Sequence, residues 1–308
     1  MLNDLRAIEE AMQDYPRHDQ KPLTLFLLGG VDVGKTYTAT ALANRFHAHG
    51  LKVAVVDADV GQSDIGPPCC IGMGILERKI RKISEVPLHS LYFVGNASPN
   101  GCMRECVNGA AAAAKKAKKL NVDVTIVDST GWIEGEDAER FKRSEIKAID
   151  PFFVIAIERE DELRHIIQHL NEIFEVIKLR MSSEARSRTR EERRALREEA
   201  YNRYFRAAED SVFELSILAW LPEEGTIVGL FDRICEGKGN GEGGDEYGEI
   251  LGLGILSKLD YESGKAVVFT PVDAENDTSI KRIKPGRVKL IKVNGRFKEE
   301  AVKGKSEK

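Results

Sequence analysis

Two hydrophobic periods alternate along the first two thirds of the chain. Short continuous apolar runs are each followed by a longer stretch with apolar residues at three- and four-residue steps. The runs LTLFLL (23–28), KVAVVDAD (52–59), SLYFVG (90–95), VDVTIVDST (122–130) and PFFVIAIE (151–158) predict strands. The stretches 34–49, 105–120, 136–149 and 160–174 predict helices. Gly50 stops the first helix, and lysines crowd the end of the second, where they suit the helix dipole. Strands that are apolar on both faces and separated by helices belong in a mostly parallel sheet covered on both sides.

The pattern changes twice more. Leu2, Leu5, Ile8 and Met12 predict a short amphipathic helix ahead of the first strand, an N-terminal extension over 1–21. Nine arginines and five glutamates fall between Arg180 and Arg206, in a helical pattern with few apolar positions before Tyr201. Beyond it short β-like runs dominate: 212–221, 225–231, 249–260, 265–272 and 287–293, separated by turn residues. The expected organisation is an α/β domain over 22–209, including an arginine-rich segment at 182–208, and a small β-rich domain over 210–308. EGKGNGEGG (236–244) reads as a hairpin loop, and the final residues as a disordered tail.

Composition narrows the class. The 308 residues are 42% hydrophobic and 31% charged, with net charge −4. No apolar run approaches the roughly 20 residues of a membrane span, and the N-terminus lacks a secretion signal, so a cytoplasmic protein is expected. Five cysteines at 69, 70, 102, 106 and 235 form no CxxC pair, which argues against a disulfide framework or a structural zinc site. His165 and His169 stand four apart, but Ile166 occupies the position where a zinc protease carries Glu. Cys102 and Cys106 read as packing residues.

The chemistry starts at Gly29-Gly30-Val31-Asp32-Val33-Gly34-Lys35-Thr36, between a predicted strand and a predicted helix. This is the spacing and the setting of a phosphate loop, and it makes the α/β domain a P-loop NTPase fold. Backbone N–H groups of the loop and the helix start, Tyr37 included, face the phosphates. Lys35 brings charge to the β- and γ-phosphates, and the Thr36 hydroxyl reaches Mg²⁺. Asp57 and Asp59 end the next strand. A carboxylate there can hold Mg²⁺ or accept a proton from an attacking hydroxyl; the alternative is capping of the following loop. The strand 151–158 runs into Arg159-Glu160-Asp161 with no Asn-Lys, so guanine specificity is unsupported and ATP is expected.

Four ordered stretches carry a more specific likeness: YFVGNASP (92–99), VDADVGQ (56–62), DSTGWIEG (128–135) and the arginines at 188, 193 and 197 ahead of Tyr204-Phe205. Together with the phosphate loop, the chain resembles the polynucleotide 5′-hydroxyl kinase family over about residues 22–272. The resemblance implies transfer of the ATP γ-phosphate to a 5′-hydroxyl end of RNA, with DNA as a further acceptor, and protein partners in RNA processing. It implies that Asp59 lies near the acceptor hydroxyl and Gln62 beside the substrate. Ser129 and Thr130 would lie near the metal, with Thr36, Asp59 and Ser129 as the metal set. Trp132 would clasp the terminal nucleotide, and Arg188 and Arg193 would belong to a lid over the phosphates. On a helix those two arginines stand about 140° apart. Each role has a plainer counterpart. Trp132 could be core, and the arginine segment could be a solvated helix with pairs such as Glu184–Arg188, Arg194–Glu198 and Glu199–Arg203. Two other functions stay open: an ATP-binding structural subunit of an RNA-processing assembly, and a nucleotide-driven metal chaperone, which too few paired Cys and His ligands disfavour. Two departures from the family are visible: about 20 residues precede the first strand, and Pro67-Pro68 runs into Cys69 where many relatives have Pro-Gly.

Overall fold

The computed structural model describes residues 22–181, 187–232, 249–273 and 280–300. The expected N-terminal helix, the 236–244 loop, the start of the arginine segment at 182–186 and the tail lie outside the described residues. Among the described residues no helix is long and apolar enough to cross a membrane.

Five strands form the parallel part of a first sheet, in the order β2 (Val53–Ala58), β5 (Val124–Ser129), β1 (Leu23–Gly29), β6 (Phe153–Glu158) and β7 (Glu175–Arg180). Three antiparallel strands extend it beyond β2: β3 (Cys70–Ile75), β4 (Leu88–Phe93) and β10 (Glu249–Ile250). Strand alternation explains why the apolar runs are continuous. In β1, Leu23, Leu25 and Leu27 face the helix α1 (Lys35–Ala48), which buries Ala39, Leu42, Ala43 and Phe46. Phe26 and Leu28 face the other way, towards α2 (Met103–Lys119), α3 (Glu136–Ile149) and α4 (Arg164–Ile167).

The fourth expected helix is reduced to one turn. Its periodicity is real, for Leu163, Ile166, Ile167 and Leu170 are buried. However, the Glu162 carboxylate accepts the N–H groups of Arg159 and Glu160 (2.8 and 2.9 Å), and the start becomes a turn. The next residues, EVIKLR, form β7, an edge strand whose charged residues hide its strand character.

The second sheet is antiparallel, in the order β14 (Arg296–Glu299), β13 (Arg282–Val293), β9 (Thr226–Phe231), β11 (Gly252–Asp260), β12 (Lys265–Thr270) and β8 (Glu209–Glu214). The two sheets share strand and core. β10 belongs to the C-terminal segment yet pairs with β4. Cys69, Cys70, Leu91 and Phe93 of the first domain pack with Tyr201 and Phe205 and with Ile227, Phe231, Leu253 and Leu290 of the second sheet.

Gly72 in β3 allows the tightest approach in the fold. A Cβ there would lie 1.7 Å from the carbonyl oxygen of Ile65, in the loop that follows β2. Gly72 cannot yield without breaking the register of β3, and Ile65 cannot without breaking its bond to Asp57. Gly72→Ala should therefore cost about 3 kcal/mol, the upper range of overpacking. Thermal unfolding against the wild type measures it; an unchanged midpoint would contradict this close packing.

Candidate active site

The phosphate loop leaves β1 at Gly29, where a Cβ would lie 2.6 Å from the Ile157 carbonyl oxygen of β6. Asp32 and Gly34 take left-handed backbone angles (φ 58° and 100°), which turn the chain into α1. No side chain caps α1, and its first turn contains no acid. Its free N–H groups and dipole therefore present positive potential at the loop. Val31 and Tyr37 are exposed on the rim, while Gly30 and Val33 are buried.

Lys35 is buried and donates to the Gly30 carbonyl (2.6 Å). Burial pushes its ammonium pKa down, against the pull of Asp128, Asp59 and Asp32. The Thr36 hydroxyl donates to Asp128 Oδ2 (2.7 Å). Asp128, at the end of β5, is the residue that sequence reading passed over in favour of its neighbour. Ser129 turns away from Thr36. Successive strand residues face opposite sides, and the Ser129 hydroxyl donates instead to the Leu27 carbonyl of β1 (2.7 Å). The signal for Asp128 was available: an acid closing a buried strand beside the loop strand.

Asp128 Oδ1 is buried and has no hydrogen-bond partner among the described residues. An orphaned carboxylate oxygen beside the Thr36 hydroxyl is a donor set that fits Mg²⁺, a hard cation that keeps several of its own waters. Burial, opposed by Lys35 and the Thr36 bond, raises the Asp128 pKa to about 6.

The two aspartates of β2 differ in what they hold. Asp57 is fully enclosed. It accepts the N–H groups of Asp59 (3.1 Å), Asp64 (2.5 Å) and Ile65 (2.9 Å) and the Ser63 hydroxyl (3.3 Å). Burial holds its carboxyl well above the usual range. Its work is to fold the loop 59–65. Asp59 is half-buried and uses Oδ1 alone, for the N–H groups of Gly61 and Gln62 (both 3.0 Å).

Gln62 joins this loop to the arginine helix α5 (Arg190–Tyr204): its Nε2 donates to the Gly61 and Arg193 carbonyls (2.8 and 3.0 Å). Thr189 caps α5 and shares a capping box with Glu192. Arg188 thus precedes the helix, and the 140° separation expected for 188 and 193 does not apply. Both arginines converge on Asp32. The Arg188 N–H donates to Asp32 Oδ2 (2.8 Å) and its guanidinium lies 3.6 Å from Oδ1; Arg193 Nη1 lies 3.1 Å from Oδ2. Of the expected surface pairs, Arg194–Glu198 forms (3.0 Å), Glu199 instead pairs with Arg296, and Glu184 lies outside the described residues.

Trp132 follows β5 and stacks one face on Phe141 (5.8 Å). It is half-buried, and Gly131 before it lets the chain pass close to Val31 of the phosphate loop. Behind Phe141 lies the fully buried pair Lys142–Glu145 (2.9 Å), which no sequence signal singled out. His165 bonds the Ile133 carbonyl (2.9 Å), while His169 lies 3.6 Å from Glu139; the two serve the packing of this corner.

A phosphate loop between β1 and α1, with carboxylates at the ends of the neighbouring strands, defines a P-loop nucleotide-binding protein. The family model described as mRNA cleavage and polyadenylation factor CLP1 P-loop matches residues 29–207, and the chain belongs to that family. It is 32% identical to the polyribonucleotide 5′-hydroxyl-kinase of Methanocaldococcus jannaschii, with 89% of each chain covered. The corresponding kinase of Pyrococcus horikoshii is 30% identical, over 88% of this chain and 87% of its own. Among solved structures, that of the wild-type Clp1p–Pcf11p complex superposes with TM-score 0.69 at 11% identity, over 94% of this chain and 79% of that one. It supports the fold alone.

The Asp128 environment yields a pH test. The folded pKa of about 6 exceeds the ordinary value of 3.8, so the folded state binds more protons than the unfolded state between them. The contribution of Asp128 to stability is fully present below that window and is lost as pH rises through about 6. Thermal unfolding of the metal-free protein from about pH 4 to about pH 7 should show this downward slope. Asp128→Asn should make it shallower, the remainder coming from groups such as Asp57; an identical slope in the variant would assign the effect elsewhere.

Proposed function

We propose that this chain transfers the γ-phosphoryl group of ATP to the 5′-hydroxyl of RNA. One observation carries the reading. At the strand ends beside the phosphate loop stand two carboxylates in different settings, one buried on Thr36 and one half-buried with an oxygen to spare, flanked by a half-open tryptophan and two arginines. Hydrolysis of a nucleotide needs no base platform; transfer to a nucleic-acid end does. The relatives named as polyribonucleotide 5′-hydroxyl-kinases support the same activity.

The loop N–H groups and Lys35 hold the β- and γ-phosphates. Thr36 and Asp128 would hold Mg²⁺, which supplies charge neutralisation at the phosphate oxygens. The terminal base rests on the open side of Trp132. Asp59 orients the 5′-hydroxyl and accepts its proton as the oxygen bonds to the γ-phosphorus. The bond to the β-phosphate oxygen breaks and ADP leaves. Arg188 and Arg193, whose fork geometry suits phosphate oxygens, close the site against water. ATP is favoured over GTP because β6 ends in Glu158-Arg159-Glu160-Asp161 without an Asn-Lys pair.

The decisive experiment incubates a 5′-hydroxyl oligoribonucleotide with γ-labelled ATP and Mg²⁺ and follows label on the 5′ end, with a DNA oligonucleotide as a second acceptor. Wild type should label RNA and Lys35→Ala should not. Asp59→Asn should lose transfer while it retains ATP binding, whereas Asp57→Asn should fail chiefly in thermal stability. Equal mild losses in the two variants would leave Asp59 without a chemical role.

Trp132→Ala should weaken oligonucleotide binding by about 1–3 kcal/mol, the cost of one base–aromatic stack, with ATP affinity unchanged. A large fall in melting temperature with unchanged KM for the oligonucleotide would make the residue core.

A further inference from the structure

The helix that carries the lid arginines has little apolar hold of its own. Ala200 and Tyr201 are the buried residues of α5, both in its last turns, and Phe205 follows just beyond. Three turns of helix without an apolar face are marginal in water. Yet Arg193 in its first turns, and Arg188 just ahead of it, must meet small targets with accurate geometry.

What holds α5 is the free edge of the second sheet. β14 pairs with β13 on one side only. On its other side the backbone groups of Phe297 and Glu299 point outward, as alternate residues of an antiparallel edge do. Side chains of α5 satisfy all four. Asn202 donates to the Phe297 carbonyl (2.8 Å) and accepts its N–H (2.9 Å), so its amide serves as one peptide of an added strand. Glu198 accepts the Glu299 N–H (3.3 Å), and Arg194 donates to the Glu299 carbonyl. The Glu299 carboxylate then grips Arg197 with two bonds, Nε–Oε1 2.6 Å and Nη2–Oε2 2.8 Å, in a mostly buried fork. Arg197 lies one helical turn from Arg193, about 6 Å along the axis.

We propose that the second sheet is the positioning element of the lid, and that Glu299 and Asn202 are positioning residues for phosphoryl transfer. They touch neither phosphate nor acceptor. They fix the axial position and rotation of α5, and so the reach of Arg193 and of the 187–189 segment that delivers Arg188 to the loop. The kinetic part of this proposal rests on the phosphotransfer reading above; the structural part does not.

The test uses the full chain with Glu299→Gln, which removes the two-bond fork, and Asn202→Ala, which opens the edge without altering charge. The first readout is hydrogen exchange of the Arg188 amide, whose only role here is to bond Asp32. Both variants should accelerate it while β9 and β11 keep wild-type protection. The second readout is steady-state transfer to a 5′-hydroxyl oligoribonucleotide. Here kcat should fall by roughly 10- to 100-fold, the cost of a displaced group of about 1 Å, with KM for ATP little changed. Arg197→Glu combined with Glu299→Arg should recover part of the loss, since it rebuilds the pair in reverse. Unchanged Arg188 exchange in both variants overturns the proposal. So does faster exchange throughout the second sheet, which would mark a structural role only. If wild type transfers no phosphate, the phosphotransfer reading falls and the Arg188 amide alone decides the positioning claim.

Discussion

Parallel in-register pairing of β2, β5 and β1 is the constraint on which the site depends. Asp57 stands opposite Asp128, and Asp128 opposite Leu27, two residues before the phosphate loop begins. Parallel strands end at one edge, so their terminal side chains collect there with the loop. The edge then gathers Asp128 and Asp59, with Asp32 of the loop, around the Lys35 ammonium, and holds Asp57 beside Asp128. Burial first, and then repulsion from neighbouring carboxylates, raises the two enclosed acids. Lys35 opposes this at Asp128, and each acid survives by a different compensation. Asp57 is saturated by N–H groups, Asp128 is tied to Thr36, and Asp59 keeps partial contact with water.

The arginines answer the same electrostatics from above. Asp32 belongs to the phosphate loop, so its carboxylate puts negative charge where nucleotide phosphates would add more. Arg188 is about half exposed, and an ion pair of that kind is worth at most about 1 kcal/mol. Arg193 is better enclosed and also passes its carbonyl to Gln62. The contact thus aims both arginines at the loop. Arg193 points there from a helix whose side chains tie it along β14, and Arg188 from just ahead of it.

Legibility from sequence followed how local each feature was. The buried strands and the helices at 35–48, 103–119 and 136–149 declare themselves because one period runs through each. The phosphate loop is a contiguous motif. β3, β7 and β14 were missed because glycines or edge charges interrupt their pattern. Asp128 lay inside a quoted motif, but choosing it over Ser129 requires knowing which face of β5 looks at Thr36. The capping box at Thr189 reads in the sequence as Thr-x-x-Glu, a signal that places Arg188 outside the helix. Asp32 as an arginine partner joins positions more than 150 residues apart in sequence, and nothing local announces such a pair.

The same distinction bears on what counts as a domain here. By composition the chain divides near residue 209, where helical patterning gives way to β runs. By energetics it does not divide there. The first sheet would end in the open edge of β4 without β10, and Cys69, Cys70, Leu91 and Phe93 would lose the apolar surface that covers them. In the other direction, the edge of β14 is satisfied by side chains of a helix that precedes the boundary. Each half closes the exposed edge of the other. An edge of unpaired N–H and carbonyl groups is a liability that proteins cover. Here the two covers also fix the route of the chain from the first sheet through α5 to the second sheet. The arginine-rich helix, poor in apolar residues of its own, is thereby held between two better-packed bodies, with Arg188 and Arg193 directed at the phosphate loop.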